Sequence, residues 1–184
     1  MPQRGHAKRP PPAYQGSHGR WSATGRDPPA SVPARDDLRP APGGWPRISS
    51  ALYYDDAARA IDWLCRAFGF EVRIRVDGPG GRVEHSELTC GDGLVMVGDA
   101  RRREKDPYRR SPGEVGGGNT QSLMVYVDDV EAHYLRAREA GAKIVSELET
   151  VDYGPEHWAD RGYACVDPGG HRWWFFERVR DPPP

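Results

Sequence analysis

The hydrophobic pattern of this chain repeats itself along its length. Residues 51–56 (ALYYDD) are short and aromatic and end at a pair of aspartates, and residues 123–129 (LMVYVDD) do the same. Both segments predict strands that run into helix N-termini, because aspartate accepts hydrogen bonds from the free N–H groups of a first helical turn. Asp55 and Asp128 stand 73 residues apart. This spacing predicts a duplicated structural unit.

The segment after each aspartate pair carries apolar residues at helical spacing. In the first copy they recur every three or four positions and predict a helix that Gly69 ends. These residues are Ala57, Ala60, Ile61, Leu64, Cys65 and Phe68. The second helix, at about 130–140, ends at Gly141 and has a weaker apolar face, formed by Val130, Tyr134 and Ala137. Asp128 and Glu131 have the spacing of a capping box at its start.

Three strand candidates, separated by turn residues, follow each helix. In the first copy they are FEVRIRV (70–76), VEHSELTC (83–90) and LVMVGD (94–99). In the second copy they are KIVSELETV (143–151), GYACVD (162–167) and HRWWFFERV (171–179). Two helices cannot cover both faces of eight strands. The fold class expected is therefore α+β, with two tandem βαβββ modules that form a cup-shaped mixed sheet and carry the helices on its outer face.

The folded region is expected at residues 48–179. It divides into module one at 48–100, a linker at 101–120 and module two at 121–179. Residues 1–47 contain ten of the eighteen prolines and almost no branched aliphatic residues. They predict a disordered tail, because so little apolar surface cannot offset the entropy of ordering. Residues 180–184 form a second, short tail.

Charge and cysteine content restrict the class of protein. Eight Lys or Arg against three Asp give residues 1–47 a charge of +5, which leaves −6 of the total of −1 for the remainder. An acidic folded region argues against nucleic-acid binding. The sequence shows neither a membrane span nor a signal peptide, so the expected location is the cytoplasm. The cysteines lie far apart without a CxxC motif and predict buried, reduced thiols at Cys65, Cys90 and Cys165.

The second copy carries the more specific sequence pattern. It begins QSLMVYVDDVEAHYLRAREAGAKIV and continues as YGPEHWADRGYACVDPGGHRWWFFE. With the duplicated order of elements, the chain resembles the glyoxalase, bleomycin-resistance and extradiol-dioxygenase superfamily, also called the vicinal oxygen chelate fold, over about residues 48–179. The DPGGH turn before an aromatic strand is similar to the PhnB-like branch. The resemblance implies a cup built from paired modules and, commonly, a homodimer.

Metal-dependent members of this superfamily place one ligand on the first strand and one on the last strand of each module. The repeat and the turn glycines locate these positions to within one residue, at Ser49, Val97, Ser122 and Trp174. Divalent metals need carboxylate, imidazole or thiolate donors, which neither these residues nor their immediate neighbours supply. We therefore expect no metal and no other cofactor.

Strand alternation predicts which side chains share the cleft with those positions. Besides Ala51 and Val95, the expected ligand-binding residues are Tyr53, Val97, Asp99, Met124, Tyr126, Arg172, Trp174 and Phe176. An aromatic lining with Arg172 and Asp99 at its margin is typical of a small-molecule site. The alternative for each aromatic residue is the core or a dimer interface. Trp173 and Phe175 point the other way and are expected in the helix-packed core.

Two further clusters contain reactive side chains. His85 and Glu87 lie two apart on one strand face, where they could transfer a proton, bind a metal or form a solvated sheet edge. The loop EHWADRGY should border the cup with His157, Trp158, Asp160 and Arg161, either as ligand contacts or as an ordinary Asp–Arg ion pair. His171 should share the face of Trp173 and be structural.

The connector at 99–120 is rich in arginine and then in glycine. It could act as a lid whose arginines meet an acidic ligand, or as a solvated linker.

Three functions are consistent with this sequence. The leading hypothesis is a metal-independent, non-catalytic protein that binds a small planar or hydrophobic molecule, similar to the antibiotic-sequestering members of the superfamily. The second is an enzyme, either a lyase or isomerase with a shifted site around the catalytic candidates His85, Glu87 and His157, or a dioxygenase-like protein. The third is a dimeric module whose cup is filled by its own side chains.

Overall fold

The computed structural model describes residues 41–100 and 106–183. In module one the elements are β1 Ser50–Tyr54, α1 Ala57–Phe68, β2 Glu71–Asp77, β3 Val83–Cys90 and β4 Gly93–Asp99. In module two they are β5 Leu123–Tyr126, α2 Val130–Glu139, β6 Lys143–Asp152, β7 Ala159–Val166 and β8 Arg172–Arg180. Two short 3₁₀ helices lie at Pro79–Gly81 and Pro112–Val115. Residues 1–40 of the predicted tail and residues 101–105 of the predicted linker lie outside the described residues.

Each module forms one four-stranded mixed sheet. The strand order is β1-β4-β3-β2 in the first sheet and β5-β8-β7-β6 in the second. The opening strand of each module runs parallel to the closing strand, and the other pairs are antiparallel. The two orders are equivalent under the sequence duplication. The predicted α+β fold with tandem βαβββ modules is thereby confirmed.

Equivalent aspartates start the two helices. The side chain of Asp56 accepts a hydrogen bond from Arg59 N at 3.1 Å, and that of Asp129 accepts one from Ala132 N at 2.9 Å. The prediction of Asp128 as the cap of α2 is wrong by one residue, because it is the carboxylate of Asp129 that reaches the N–H three positions on. Gly69 ends α1 as predicted, with a left-handed φ of 77°.

The two modules share one hydrophobic core. The ring of Phe68, at the end of α1, lies 5.3 Å from that of Trp173 and 4.6 Å from that of Phe175 on β8. Trp173 and Phe175 are fully buried, as alternation predicted. Trp63 Nε1 donates a hydrogen bond to Ala140 O at 2.8 Å. These contacts between the modules run through the helices and the helix-facing side of the second sheet.

A buried carboxylate ties the end of β1 to the turn before β8. Asp167 accepts hydrogen bonds from the Tyr54 hydroxyl at 2.6 Å and from Trp173 Nε1 at 3.0 Å. Burial, and then the charge of Asp167, raise the pKa of Tyr54, so this phenol stays a donor. His171 Nε2 donates to Tyr53 O at 2.9 Å, in agreement with the structural role expected for this histidine.

The three cysteines were expected to be buried, reduced thiols. All three cysteines are free, but only Cys165 is fully buried, whereas Cys65 and Cys90 are half-buried at the edge of α1 and the end of β3. The prediction of buried thiols therefore holds for Cys165 alone.

Within residues 41–100 and 106–183, no helix is long and apolar enough to cross a membrane.

Candidate functional site

The second sheet has an open face, by which we mean the sheet face opposite the helices. Alternation along β5 and β8 places Met124, Tyr126, Trp174 and Phe176 on it. The pairing register sets Met124 beside Trp174 and Tyr126 beside Phe176. Met124 is 64% exposed and Tyr126 50% exposed. Four of the predicted ligand-binding residues therefore come together on one accessible surface.

Three of these side chains form a cluster of aromatic rings, which we call the aromatic platform: Tyr126, Trp174 and Phe176. The plane of the Tyr126 ring is tilted by 43° to that of Phe176. The Trp174 and Phe176 ring planes differ by only 5°, with centroids 5.8 Å apart. The Tyr126 ring centroid lies 6.1 Å from that of Phe176. Accessible aromatic rings bind planar ligands by stacking.

A glycine on the neighbouring strand lets the platform lie against the sheet. Gly162 of β7 is the register partner of Phe176. A Cβ at Gly162 would stand 2.3 Å from Phe176 Cδ1 and 2.7 Å from the backbone oxygen of Phe175. The Phe176 ring therefore occupies the space that any other residue at position 162 would fill.

Arginines stand at both ends of the aromatic platform. The guanidinium carbon of Arg172 lies 4.9 Å from the Trp174 ring centroid. That of Arg178 lies 5.4 Å from the ring centroids of both Tyr126 and Trp158. Guanidinium groups at these distances interact with the aromatic faces and present a positive charge beside them. Because Arg178 is paired with Asp160, it is the Arg172 end of the platform that is suited to an electron-rich or anionic substituent of a planar ligand.

A hydrogen-bond network around the buried carboxylate of Asp160 holds Arg178 in place. Arg178 Nε donates to Asp160 Oδ1 at 2.6 Å, the Tyr126 hydroxyl donates to Asp160 Oδ2 at 3.1 Å, and Arg178 Nη2 donates to the Tyr126 oxygen at 2.8 Å. The bonds to Asp160 and then Tyr126 raise the pKa of Arg178. Sequence reasoning missed Arg178, although alternation from Trp174 through Phe176 leads directly to it.

The sequence hypothesis of an ion pair between Asp160 and Arg161 is wrong. Successive residues of a strand point to opposite sides of the sheet, so these two neighbours on β7 have different partners. Asp160 pairs with Arg178, and Arg161 Nη2 lies 3.2 Å from Glu131 Oε2. His157 lies in the loop between β6 and β7, with its ring 6.0 Å from that of Trp158.

The open face of the first sheet differs from the one predicted. Tyr53 faces it, but its register partner is Gly98, and the next row consists of Ala51, Met96 and Glu87. Val97 pairs with Leu52 in the core, where each is 1% exposed. Counting from the turn glycine placed β4 one residue out of register, since Gly93 is itself the first residue of that strand. A slip of one residue exchanges the two faces.

The predicted cleft positions of Val95, Val97 and Asp99 are therefore wrong. Asp99 lies on the helix side of the first sheet and is buried. Its carboxylate accepts hydrogen bonds from Val83 N at 2.8 Å and from Ala57 N, at the start of α1, at 3.5 Å. Asp99 thus satisfies backbone donors of β3 and α1 and is directed away from the open face.

His85 and Glu87 share the open face of the first sheet. His85 Nε2 and Glu87 Oε1 are 3.1 Å apart, and Arg73 Nε lies 3.6 Å from Glu87 Oε2. The third catalytic candidate, His157, belongs to the other module. The structure therefore brings two of the three candidates together.

The positions where the resemblance implies metal ligands do not fit a divalent ion here. Ser49 and Ser122 directly precede β1 and β5, Met96 and Gly98 take the open-face positions of β4, and Trp174 is part of the aromatic platform. A metal site needs converging carboxylate, imidazole or thiolate groups. Among the described residues, no cluster of three or more His, Cys, Asp or Glu side chains could hold a metal.

Two surface grooves lie apart from the aromatic platform. One, of about 550 Å³, runs along α1 between Arg59 and the turn at Pro168. The other, of about 510 Å³, lies between Trp45 and the β3–β4 turn. The platform is an open surface of a single chain.

The tandem βαβββ fold with its open sheet faces defines the structural class, and comparison with known proteins identifies the family. The family model of the Glyoxalase/Bleomycin resistance protein/Dioxygenase superfamily matches residues 47–175. The chain belongs to this superfamily. Its assignment to the PhnB-like branch stays a prediction.

Individual relatives extend this result. TioX from Micromonospora sp. ML1, whose crystal structure is known, is 35% identical in sequence to this chain. The two structures match over 72% of this chain and 98% of TioX, with a TM-score of 0.55. The uncharacterized protein Rv0887c of Mycobacterium tuberculosis is 35% identical over 136 residues, which are 74% of this chain and 76% of that protein. TnmS3, an antibiotic binding protein from Streptomyces sp. CB03234, shares the fold at 18% identity and a TM-score of 0.51, over 71% of this chain and 93% of its own.

Proposed function

We propose that the protein binds a planar aromatic small molecule without a metal and sequesters it by stoichiometric capture. The observation that carries this proposal is the aromatic platform, with the Trp174 and Phe176 rings within 5° of parallel on an accessible sheet face. Each ring stacked on a ligand contributes about 0.5–1.5 kcal/mol beyond the area it buries. TnmS3, which is named as an antibiotic binding protein, supports the proposal at the level of the fold. An antibiotic or an aromatic metabolite is the expected ligand.

A homodimer would complete the site. The open face of the first sheet exposes Ile74 and Val76, and that of the second exposes Met124 and Tyr126. Apolar residues exposed together on one face are a feature of binding surfaces. Because the modules of one chain meet through their helices, a second copy would bring the first sheet of one chain opposite the platform of the other. Sedimentation velocity should then give a dimer, and Met124→Glu should shift it toward monomer.

Binding of a planar probe tests the function. We expect indole to bind the full chain in calorimetric titrations and Trp174→Ala to weaken binding about tenfold, which corresponds to about 1.4 kcal/mol. Leu135→Ala, on the outer surface of α2, is the control, because Leu135 is 49% exposed and so matches Tyr126. Unchanged binding in both Trp174→Ala and Tyr126→Ala would refute the platform as the site.

An enzyme is the second candidate, and the contact between His85 and Glu87 on an open sheet face favours it. A carboxylate beside an imidazole can support proton transfer or contribute to a metal site. Elemental analysis of protein purified without added metal distinguishes the two functions. About one tightly held divalent ion per chain, lost in His85→Ala, would favour the enzyme over the binding protein.

A further inference from the structure

Two buried polar atoms on the open face of the first sheet lack a hydrogen-bond partner among the described residues. One is Oε2 of Glu87, whose side chain is only 4% exposed, and the other is Nε of Arg109. Buried polar atoms of native proteins are nearly always hydrogen-bonded, to protein, water or ligand. One acceptor and one donor on the same face therefore require an explanation.

Glu87 presents a buried charge that its neighbours satisfy only in part. Its Oε1 atom contacts His85 Nε2 at 3.1 Å. Its Oε2 atom forms an ion pair with Arg73 Nε at 3.6 Å, which is longer than a hydrogen bond. The lone pairs of Oε2 are therefore suited to an N–H donor, and most of all to an ammonium group.

Arg109 lies flat on the same face. Its guanidinium carbon is 4.7 Å from the ring centroid of Tyr53. Its Nη2 atom is 2.6 Å from the point where a Cβ at Gly98 would stand. Because Tyr53 and Gly98 are register partners, the absence of a side chain at Gly98 gives the guanidinium its place on the sheet. The free Nε–H of Arg109 is suited to a carbonyl or carboxylate oxygen.

The strand register places Glu87 and Arg109 near one another on the open face of the first sheet. Glu87 is the register partner of Met96, and Arg109 covers Gly98, two residues further along β4. Diagonal neighbours on adjacent antiparallel strands, such as Glu87 and Gly98, are about 7–8 Å apart. An ammonium and a carboxylate on one carbon can bridge such a distance through two hydrogen bonds of about 2.9 Å each.

We propose that the ligand carries an amino-acid-type head group, whose amine binds Glu87 and whose carboxylate or carbonyl binds Arg109. The inference rests on the proposed function, because the aromatic platform of a second chain would stack the planar part of the same ligand. Glu87 and Arg109 would then determine specificity for the head group, and Tyr126, Trp174 and Phe176 affinity for the ring.

Four compounds with a common indole ring separate these contributions. Indole carries neither charged group, tryptamine adds the amine, indole-3-acetate adds the carboxylate, and tryptophan has both. In calorimetric titrations of the full chain we expect tryptamine and indole-3-acetate each to bind about tenfold more tightly than indole, as for one charge-assisted hydrogen bond. Tryptophan should bind more tightly than either.

Two variants test the assigned partners. Glu87→Gln should abolish the advantage of tryptamine over indole. Gly98→Ala should displace the Arg109 side chain and abolish the advantage of indole-3-acetate. Both variants should give the far-UV circular dichroism spectrum of the wild type, which shows that each is folded, and Leu135→Ala should leave all four affinities unchanged.

The possible failures are distinguishable. If tryptophan binds no more tightly than indole, or if both variants keep the full advantage of the charged compounds, the head-group assignment is overturned while the platform stands. If indole binding itself does not depend on Trp174, the proposed function fails and the head-group assignment fails with it.

Discussion

Protonation of His133 is expected to destabilise the fold in mild acid. This residue of α2 is 3% exposed, with Nε2 3.2 Å from Phe68 O and Nδ1 2.7 Å from the Tyr163 hydroxyl oxygen. A carbonyl oxygen can only accept, so Nε2 carries the proton of the neutral ring and Nδ1 accepts from Tyr163. The neutral ring thus satisfies a carbonyl at the C-terminus of α1 and joins the two modules. A second proton would place a charge in the shared core.

The pKa of His133 sets the size of this effect. Burial, and then the charge of Arg136, lower the pKa of His133 from 6.5 to about 4. Between these values the unfolded chain binds more protons than the folded chain, so the free energy of unfolding falls as the pH decreases. The loss starts near pH 6.5, reaches about 2 kcal/mol at pH 5 and about 3 kcal/mol at pH 4.

Urea denaturation followed by tryptophan fluorescence, at several values between pH 7.5 and 4, measures this loss. The non-titrating variant His133→Gln should lose about 3 kcal/mol less than the wild type over this interval, because contributions of the carboxylates are common to both proteins. His157→Gln is the matched control, since His157 is exposed in the loop between β6 and β7, and it should follow the wild type. Parallel curves for His133→Gln and the wild type would refute the reasoning.

Two further predictions concern a glycine and a thiol. Gly162→Ala should lower the free energy of unfolding by about 1–3 kcal/mol, because the new Cβ meets the ring of Phe176 and the backbone. In Gly98→Ala the new Cβ meets only the end of a flexible side chain, so the loss should be less than about 1 kcal/mol. Equal losses for the two variants in urea denaturation would contradict this prediction. Burial, and then the charge of Asp167, raise the pKa of Cys165 to about 12. After treatment of the native protein with iodoacetamide at pH 8, mass spectrometry should therefore find Cys165 unmodified. Modification of Cys165 as fast as that of the half-buried Cys65 would contradict this prediction.

Periodicity and duplication were sufficient to predict the elements of the fold. The apolar spacing of α1, the aspartates before both helices and the turn residues between strands are local features. Their chemistry acts within a few residues, so the sequence shows them directly. For the same reason alternation on β8 correctly separated Trp173 and Phe175 in the core from Trp174 and Phe176 on the open face.

The candidate site could be predicted only in part, because its errors depend on strand register and on contacts between distant residues. A turn one residue tighter than expected exchanged the faces of Val97 and Met96. Arg109, in the middle of the connector, lies over Gly98, and no local sequence pattern predicts this contact.

The sequence by itself determined the duplicated βαβββ order, the aromatic character of β8 and the lack of metal-binding residues near the expected positions. The tertiary structure decided which of two alternating faces each strand turns to solvent, and which charges meet there. Glu87 and Asp99 are both acidic strand residues, but one lies on the open face and the other beneath α1. The reason is physical: a strand offers both faces equally, and only packing against the helices determines which of them is buried.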